Sequence, residues 1–237
     1  MPTRILAIDT ATEACSAAIM LDNDILLKKF TIAPKEHTQL ILPMVDSLLS
    51  EAGITLSNLD ALAFSCGPGN FTGVRISIGI AQGLALGADL PLIGISTLAI
   101  LAEGAWRNTG ANQVLTAINA HMQKVYWAPY QRQGPGIWIG EEHEVIVETR
   151  ALDTIIADFI GCWAIAGTGW QNNSAFVNYE HLQLINGKIL LPNAQDILPL
   201  ALHKYYHGNM KPIGLVKQNY LHNEVLWKNF QKNRKVK

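Results

Sequence analysis

The sequence is short of charge, of cysteine and of any unbroken apolar run, and each shortage removes a class of function. Only 16% of its 237 residues are charged and the formal net charge is −1, so it lacks the basic excess with which a protein grips a nucleic-acid backbone alone. The basic residues that do cluster, Lys228, Lys232, Arg234, Lys235 and Lys237, stand at the C-terminal end. They read as a solvated tail or as a weak RNA contact made inside a complex. Cys15, Cys66 and Cys162 are odd in number and never form a Cys-x-x-Cys pair, which excludes a zinc ribbon and points to a reduced, cytoplasmic setting. The longest apolar run, residues 76–86, is interrupted by Gly79, Gln82 and Gly83 and falls well short of the ~20 residues a bilayer crossing needs. The first residues carry no signal-peptide pattern. No His-Glu-x-x-His motif or Ser/His/Asp set stands out, so a peptidase ranks low. What is present is apolar: hydrophobic residues are 49% and the mean hydropathy is +0.15. Extensive burial or an adhesive partner surface is expected.

Periodicity predicts an α/β chain. Residues 4–8, 16–20 and 25–31 read as three closely spaced strands, an antiparallel meander. Residues 36–51 switch to helical period, with Leu40, Ile41, Met44, Val45, Leu48 and Leu49 on a broad stripe, Pro43 inside and Gly53 as the stop. A strand over 59–65, a glycine-rich loop, a helix over 73–87, a strand over 91–95 and a helix capped by Ser96 to about Trp106 follow. The order then starts again: strands over 113–119, 124–131 and 141–147, a helix capped by Thr149 to about Ile160, a strand over 162–166 and a helix over 194–207. The stretch 167–187 has no clear period. Two successive β-β-β-α-β units predict two similarly built domains, residues 1–106 and 107–237.

Three places could carry chemistry. Asp9-Thr10-Ala11-Thr12 places a carboxylate at the end of a buried strand with hydroxyls in the turn, a composition that suits phosphate with magnesium and equally suits an ordinary turn. Gly67-Pro68-Gly69-Asn70-Phe71-Thr72-Gly73 reads as an anion cradle at a helix N-terminus, with Asp9, Thr10, Gly67, Gly69 and Thr72 near the anion, or as a tight strand-to-helix turn capped by Thr72. It lacks the Gly-Lys-Ser/Thr ending of a P-loop. In the helix that follows, Gly79, Gly83 and Gly87 share one face. Each costs about 1 kcal/mol of helix propensity, so close backbone approach by another element is expected, either this chain's own sheet or a helix of another subunit. His203 and His207 have the i, i+4 spacing of a metal pair, but no third ligand is near in sequence, and they read as two solvated histidines.

The motifs Ile5-Leu6-Ala7-Ile8-Asp9-Thr10-Ala11-Thr12, Glu36-His37-Thr38, Leu42-Pro43-Met44-Val45, Gly67-Pro68-Gly69-Asn70-Phe71-Thr72-Gly73-Val74-Arg75 and Gly79-Ile80-Ala81-Gln82-Gly83-Leu84-Ala85 resemble the TsaB (YeaZ) family. The likeness continues through Val125-Tyr126-Trp127, Gly167-Thr168-Gly169-Trp170 and Tyr220-Leu221, so it spans almost the whole chain. The resemblance implies an actin-like ATPase (sugar-kinase and Hsp70) superfamily fold with two RNase H-like domains in tandem. It implies a cytoplasmic, non-catalytic scaffold or activator of the TsaD threonylcarbamoyl transferase, which modifies tRNA to N6-threonylcarbamoyladenosine. TsaE is implied as a further partner, with self-association as a homodimer when alone and tRNA met only through the complex. No intrinsic cofactor is implied; ATP or ADP and magnesium would bind, if at all, within the partner complex. The resemblance places the pairing surface on the first-domain helices, with His37, Leu40, Ile41, Met44, Val74, Ile78 and Gly79 as the expected contact set. The chain departs from the family's Asp-Ala-Arg and Glu-Val-Tyr with Asn119-Ala120-His121 and Lys124-Val125-Tyr126, and His222 stands where arginine is common. The alternative reading is a nucleotide-dependent phosphotransferase or ATPase of the same fold.

Overall fold

The computed structural model describes residues 3–22, 25–171 and 180–210. The basic tail, Tyr220-Leu221 and His222 lie outside the described residues.

The first lobe opens with β1 (Ile5–Asp9), β2 (Ala14–Leu21) and β3 (Ile25–Ile32), the expected antiparallel meander. Helix α1 (His37–Ala52), β4 (Ala61–Ser65), α2 (Phe71–Ala88), β5 (Leu92–Ile95) and α3 (Thr97–Thr109) follow. The sheet runs β3-β2-β1-β4-β5, with β4 parallel to β1 and β5 parallel to β4. Every residue of β1 and β4 is buried, which is why both read as continuous apolar runs rather than alternating ones. Helices α1 and α2 cover the outer face through Ile41, Val45, Leu48, Val74, Ile78, Ala81 and Ala85.

The second lobe repeats the plan with β6 (Gln113–Ala120), β7 (Lys124–Gly134), β8 (Ile137–Ile139), β9 (Val145–Glu148), α4 (Leu152–Ile156), β10 (Gly161–Ala166), β11 (Leu182–Asn186) and α5 (Ala194–Tyr206). Its sheet runs β11-β10-β6-β7-β8. Strands β6, β7, β8, β10 and β11 therefore take the places of β1, β2, β3, β4 and β5, with the same parallel and antiparallel senses. Two copies of one strand order, 3-2-1-4-5, establish the tandem RNase H-like, actin-like fold.

The second copy departs from expectation where its helices were predicted. The single strand over 141–147 is two: β8 pairs the far half of the eleven-residue β7 and β9 pairs its near half, with a 3-10 turn over Glu141–His143 between them. The helix expected from Thr149 to Ile160 shrinks to a 3-10 turn, Thr149–Ala151, and the five-residue α4. Phe159 then packs edge-on against Trp163, their ring centroids 4.9 Å apart, within a core cluster that also holds Trp127 and Trp170. Strand β11 was not legible because only Leu182 of its five residues is buried.

Between the sheets lies a shared core. Helix α5 lies across β1, β2, β4 and β5, whereas α3 lies across β6 and β10, so each lobe's last helix packs on the other lobe's sheet or beside it. Buried polar contacts tie this layer together. The Arg107 guanidinium on α3 donates to both Asp196 carboxylate oxygens on α5 at 2.6 and 3.1 Å. Ser96 after β5 and Tyr130 on β7 both donate to Glu144.

Candidate functional site

The two motifs singled out in the sequence meet in the first lobe, and they meet each other. Strand β1 carries Asp9 to the sheet's C-terminal edge, where it is fully buried. Its Oδ1 accepts from Ala11 N–H at 3.1 Å. Its Oδ2 finds no donor in hydrogen-bonding geometry; the nearby Ser65 hydroxyl pairs with Ser77 Oγ at 3.2 Å. Burial raises the Asp9 carboxyl from 3.8 to about 6, against the smaller opposing pulls of the Ser65 hydroxyl, the Ala11 amide and His37. The same burial, with the Asp9 charge alongside, pushes the Cys15 thiol to about 11, so that thiol stays protonated and unreactive at neutral pH.

The space a phosphate would need is filled by backbone. Asn70 N–H donates to Ala11 O at 2.7 Å, and Thr10 Oγ1 donates to Gly73 O at 2.7 Å. A Cβ on Gly69 would lie 2.3 Å from Ala11 O, and one on Gly73 would lie 2.1 Å from Thr10 O. These glycines are there so that two turns can touch. Gly67 takes φ +97° before a cis bond to Pro68. The expected Thr72 cap is replaced: Asn70 caps α2, its Oδ1 accepting from the Thr72 and Gly73 amides at 3.0 and 3.2 Å, and the helix starts at Phe71. The N-terminal amides that would have cradled an anion are thus engaged by a side chain, and Thr72 itself is exposed. The Asp9-Thr10-Ala11 turn and the Gly69–Gly73 turn come together as a closed structural joint, whereas Gly67 O accepts from Thr97 N–H and Thr72 stays exposed at the rim. They do not fit a nucleotide with magnesium in this chain by itself. His37 is part of the joint too, its Nε2 bonded to Thr12 O at 2.9 Å.

The expected contact set divides in two. Ile41 is fully buried, and Val74, Ile78 and His37 are 6–7% exposed; all four face the lobe's own interior, which corrects their placement on an outer surface. Leu40 and Met44 are half-buried at the edge of that core. Gly79 does face outward. So do Gly83 and Gly87, and a Cβ built on any of the three meets nothing within 4 Å among the described residues. This chain's own sheet is therefore not what the glycine face approaches. Leu86, 73% exposed, and Phe71, 57%, share α2 with the glycines, and Leu42 on α1 is 45% exposed. Arg75 lies over the Phe71 ring, 3.6 Å from its centroid. Phe71, Leu42 and Leu86 were missed because a 3.6-residue period shows that an apolar stripe exists, not which edge of a broad one turns outward. By length and composition α2 is apolar enough to cross a bilayer, longer than the interrupted run read from the sequence. In this fold Gly73, Val74, Ser77, Ile78, Ala81 and Ala85 are buried along its inner side.

In the second lobe Asn119 stands at the end of β6, and its amide donates to Thr168 Oγ1 at 3.0 Å. His203 and His207 lie with ring centroids 4.1 Å apart, and His207 Nδ1 is 2.8 Å from His203 O. Partial burial and the neighbouring cations His207 and Lys204 lower the His203 pKa. No group of three or more His, Cys, Asp or Glu side chains suited to a metal occurs among the described residues.

A family model described as TsaD, tRNA N6-adenosine threonylcarbamoyltransferase, matches residues 30–155. The tRNA threonylcarbamoyladenosine biosynthesis protein TsaB of Escherichia coli (strain K12) is 49% identical over 225 residues, 95% of this chain and 97% of that protein. The protein of the same description from Haemophilus influenzae is 38% identical, covering 94% of this chain and 95% of that one. The solved structure of YeaZ from Pseudomonas aeruginosa superposes with a TM-score of 0.83 at 39% identity, over 92% of this chain and all of that one.

Proposed function

This chain belongs to the TsaB family, and from that membership we propose that it is a non-catalytic scaffold that docks and activates TsaD through the outer faces of α1 and α2. Its role lies in tRNA threonylcarbamoyladenosine biosynthesis. The observation that carries the docking reading is the glycine face of α2. Gly79, Gly83 and Gly87 together forgo roughly 3 kcal/mol of helix propensity, and nothing among the described residues approaches them to offset it. A helix backbone laid bare alongside the exposed Phe71 and Leu86 suits close packing by a partner helix, the geometry that small residues at four-residue spacing permit. The non-catalytic reading is supported by the closed joint around Asp9, which spends the amides and hydroxyls a phosphate would use on the protein itself.

The same face would serve self-association when TsaD is absent, so homodimer and TsaD complex would exclude each other. TsaE joins as a further partner of the assembly, and nucleotide with magnesium binds only there, with tRNA as the shared substrate. The test is Gly83→Leu. The added side chain enters open space, so the isolated chain should fold with unchanged or slightly higher thermal stability while its affinity for TsaD falls at least tenfold by isothermal titration. Unimpaired binding to TsaD would refute the α2 face as the docking surface. Turnover of ATP by the purified chain alone, abolished by Asp9→Ala, would refute the non-catalytic reading.

A further inference from the structure

The internal repeat makes one difference between the lobes informative. In the first lobe the ground between the ends of β1 and β4 and the start of α1 is sealed by three contacts: Asn70 to Ala11, Thr10 to Gly73 and His37 to Thr12. The corresponding ground in the second lobe, between the ends of β6 and β10 and the start of the 3-10 turn Thr149–Ala151, is an open cleft of about 770 Å³. One of the elements beside it is cut short. A three-residue turn and the five-residue α4 stand where the first lobe has the sixteen-residue α1. The cleft sits at the C-terminal ends of parallel strands, where α/β sheets place their ligands.

Its walls are rich in hydrogen-bond donors. Lys124, Arg150 and His121 line it, together with Asn119, Gln123 and Thr149. The one acid among the lining residues, Glu148, lies opposite Lys124 in the strand register and accepts from Arg150 Nε at 2.5 Å, so the charged lining residues are two cations and one carboxylate. Small-molecule sites are typically enclosed and largely apolar; this cleft is neither. An open, donor-rich surface suits an extended polyanion whose phosphates touch it one or two at a time. The hairpin tip reinforces this. Met122 and Gln123 both hold left-handed backbone, φ +64° and +56°, which non-glycine residues adopt at an energetic cost. That conformation stands the 90%-exposed Met122 out beside the cleft, where an unbranched side chain can lie against a sugar or base.

We propose that this second-lobe cleft is a direct contact site for the phosphodiester backbone of tRNA, with Lys124 and Arg150 as its charged contacts. The proposal rests on the role in tRNA modification given above, but it concerns a different face from α1 and α2. The experiment measures tRNA binding by fluorescence anisotropy as a function of salt. It uses the assembled complex of the chain with TsaD and TsaE, and the isolated chain at low salt should no complex form. Lys124→Glu with Arg150→Glu should weaken binding about tenfold or more near 0.15 M salt and reduce the slope of log K against log salt by about 1.5–2. The neutral pair Lys124→Ala with Arg150→Ala should give a smaller loss in the same direction. Melting curves and TsaD affinity should match the unsubstituted chain, which separates this result from a failure of docking. Unchanged tRNA affinity and salt slope in a folded double variant would overturn the site. So would a loss confined to TsaE binding, which would make the cleft a protein contact.

Discussion

The substitution Asp9→Asn separates a scaffold from a nucleotide enzyme by the sign of one number. Asp9 is fully buried, and its pKa is raised from 3.8 to about 6, chiefly by burial. A folded-state pKa above the unfolded one means that the folded protein holds a proton the unfolded chain releases. The stability this brings is fully present below pH ~3.8 and is lost as pH rises through about 6. Above that, the native state carries a buried carboxylate with Oδ2 lacking a donor. A shift of about two pH units corresponds to about 3 kcal/mol at 1.36 kcal/mol per unit. The asparagine would keep the Oδ1 acceptor for Ala11 N–H and drop the charge, and its amide could donate toward the Ser65 hydroxyl. Some of the gain is returned if that bond is poor, since an unsatisfied buried amide costs about 1–3 kcal/mol. The expected outcome is stabilisation by about 1–3 kcal/mol at pH 7.5, shrinking to nothing as pH falls toward 4. Urea unfolding of both proteins at several pH values between 4 and 8 measures it, and taking the difference cancels the other titrating groups. Destabilisation at pH 7.5, or a difference that ignores pH, would refute the reasoning. It would mean that a cation or a bound anion's metal satisfies the carboxylate in the working protein.

Two further substitutions probe the joint and the seam. Gly73→Ala would put a Cβ 2.1 Å from the Thr10 carbonyl oxygen; the two turns must part, and chemical denaturation should show a loss of about 3 kcal/mol or more. Arg107→Ala leaves the Asp196 carboxylate, 1% exposed, without its main partner. Breaking a buried pair from one side costs about 3–5 kcal/mol, and the 40% exposure of the Arg107 side chain reduces this to roughly 2 kcal/mol through solvent screening. Hydrogen exchange should quicken in both α3 and α5 in that variant, because the pair joins them.

The sequence by itself determined the order of the first lobe's elements and their ends to within about three residues. Buried strands such as Ile5–Asp9 and Ala61–Ser65 are unbroken apolar runs, α1 has a clean helical stripe, and Ser96 caps α3 as expected, accepting from Leu98 N–H at 3.2 Å. The glycine block 67–73 and the family it marks were legible for the same reason, since the residues involved are adjacent in the chain. What the sequence could not decide depended on contacts between distant segments. Asp9-Thr10 and Gly67–Gly73 both carry the composition of a phosphate site. Only the tertiary fold, by setting Ala11 O against Asn70 N–H and Thr10 Oγ1 against Gly73 O, makes them each other's ligand. The i, i+4 glycines led to the expectation that another element approaches α2; only the fold showed that none of the described residues does. The second lobe was less legible because aromatic packing of Phe159 on Trp163 and the split pairing of β7 override local propensity there. The open cleft beside Lys124 and Arg150 gathers residues from the ends of β6, β7, β9 and β10, which is a property of three-dimensional packing rather than of any stretch of chain.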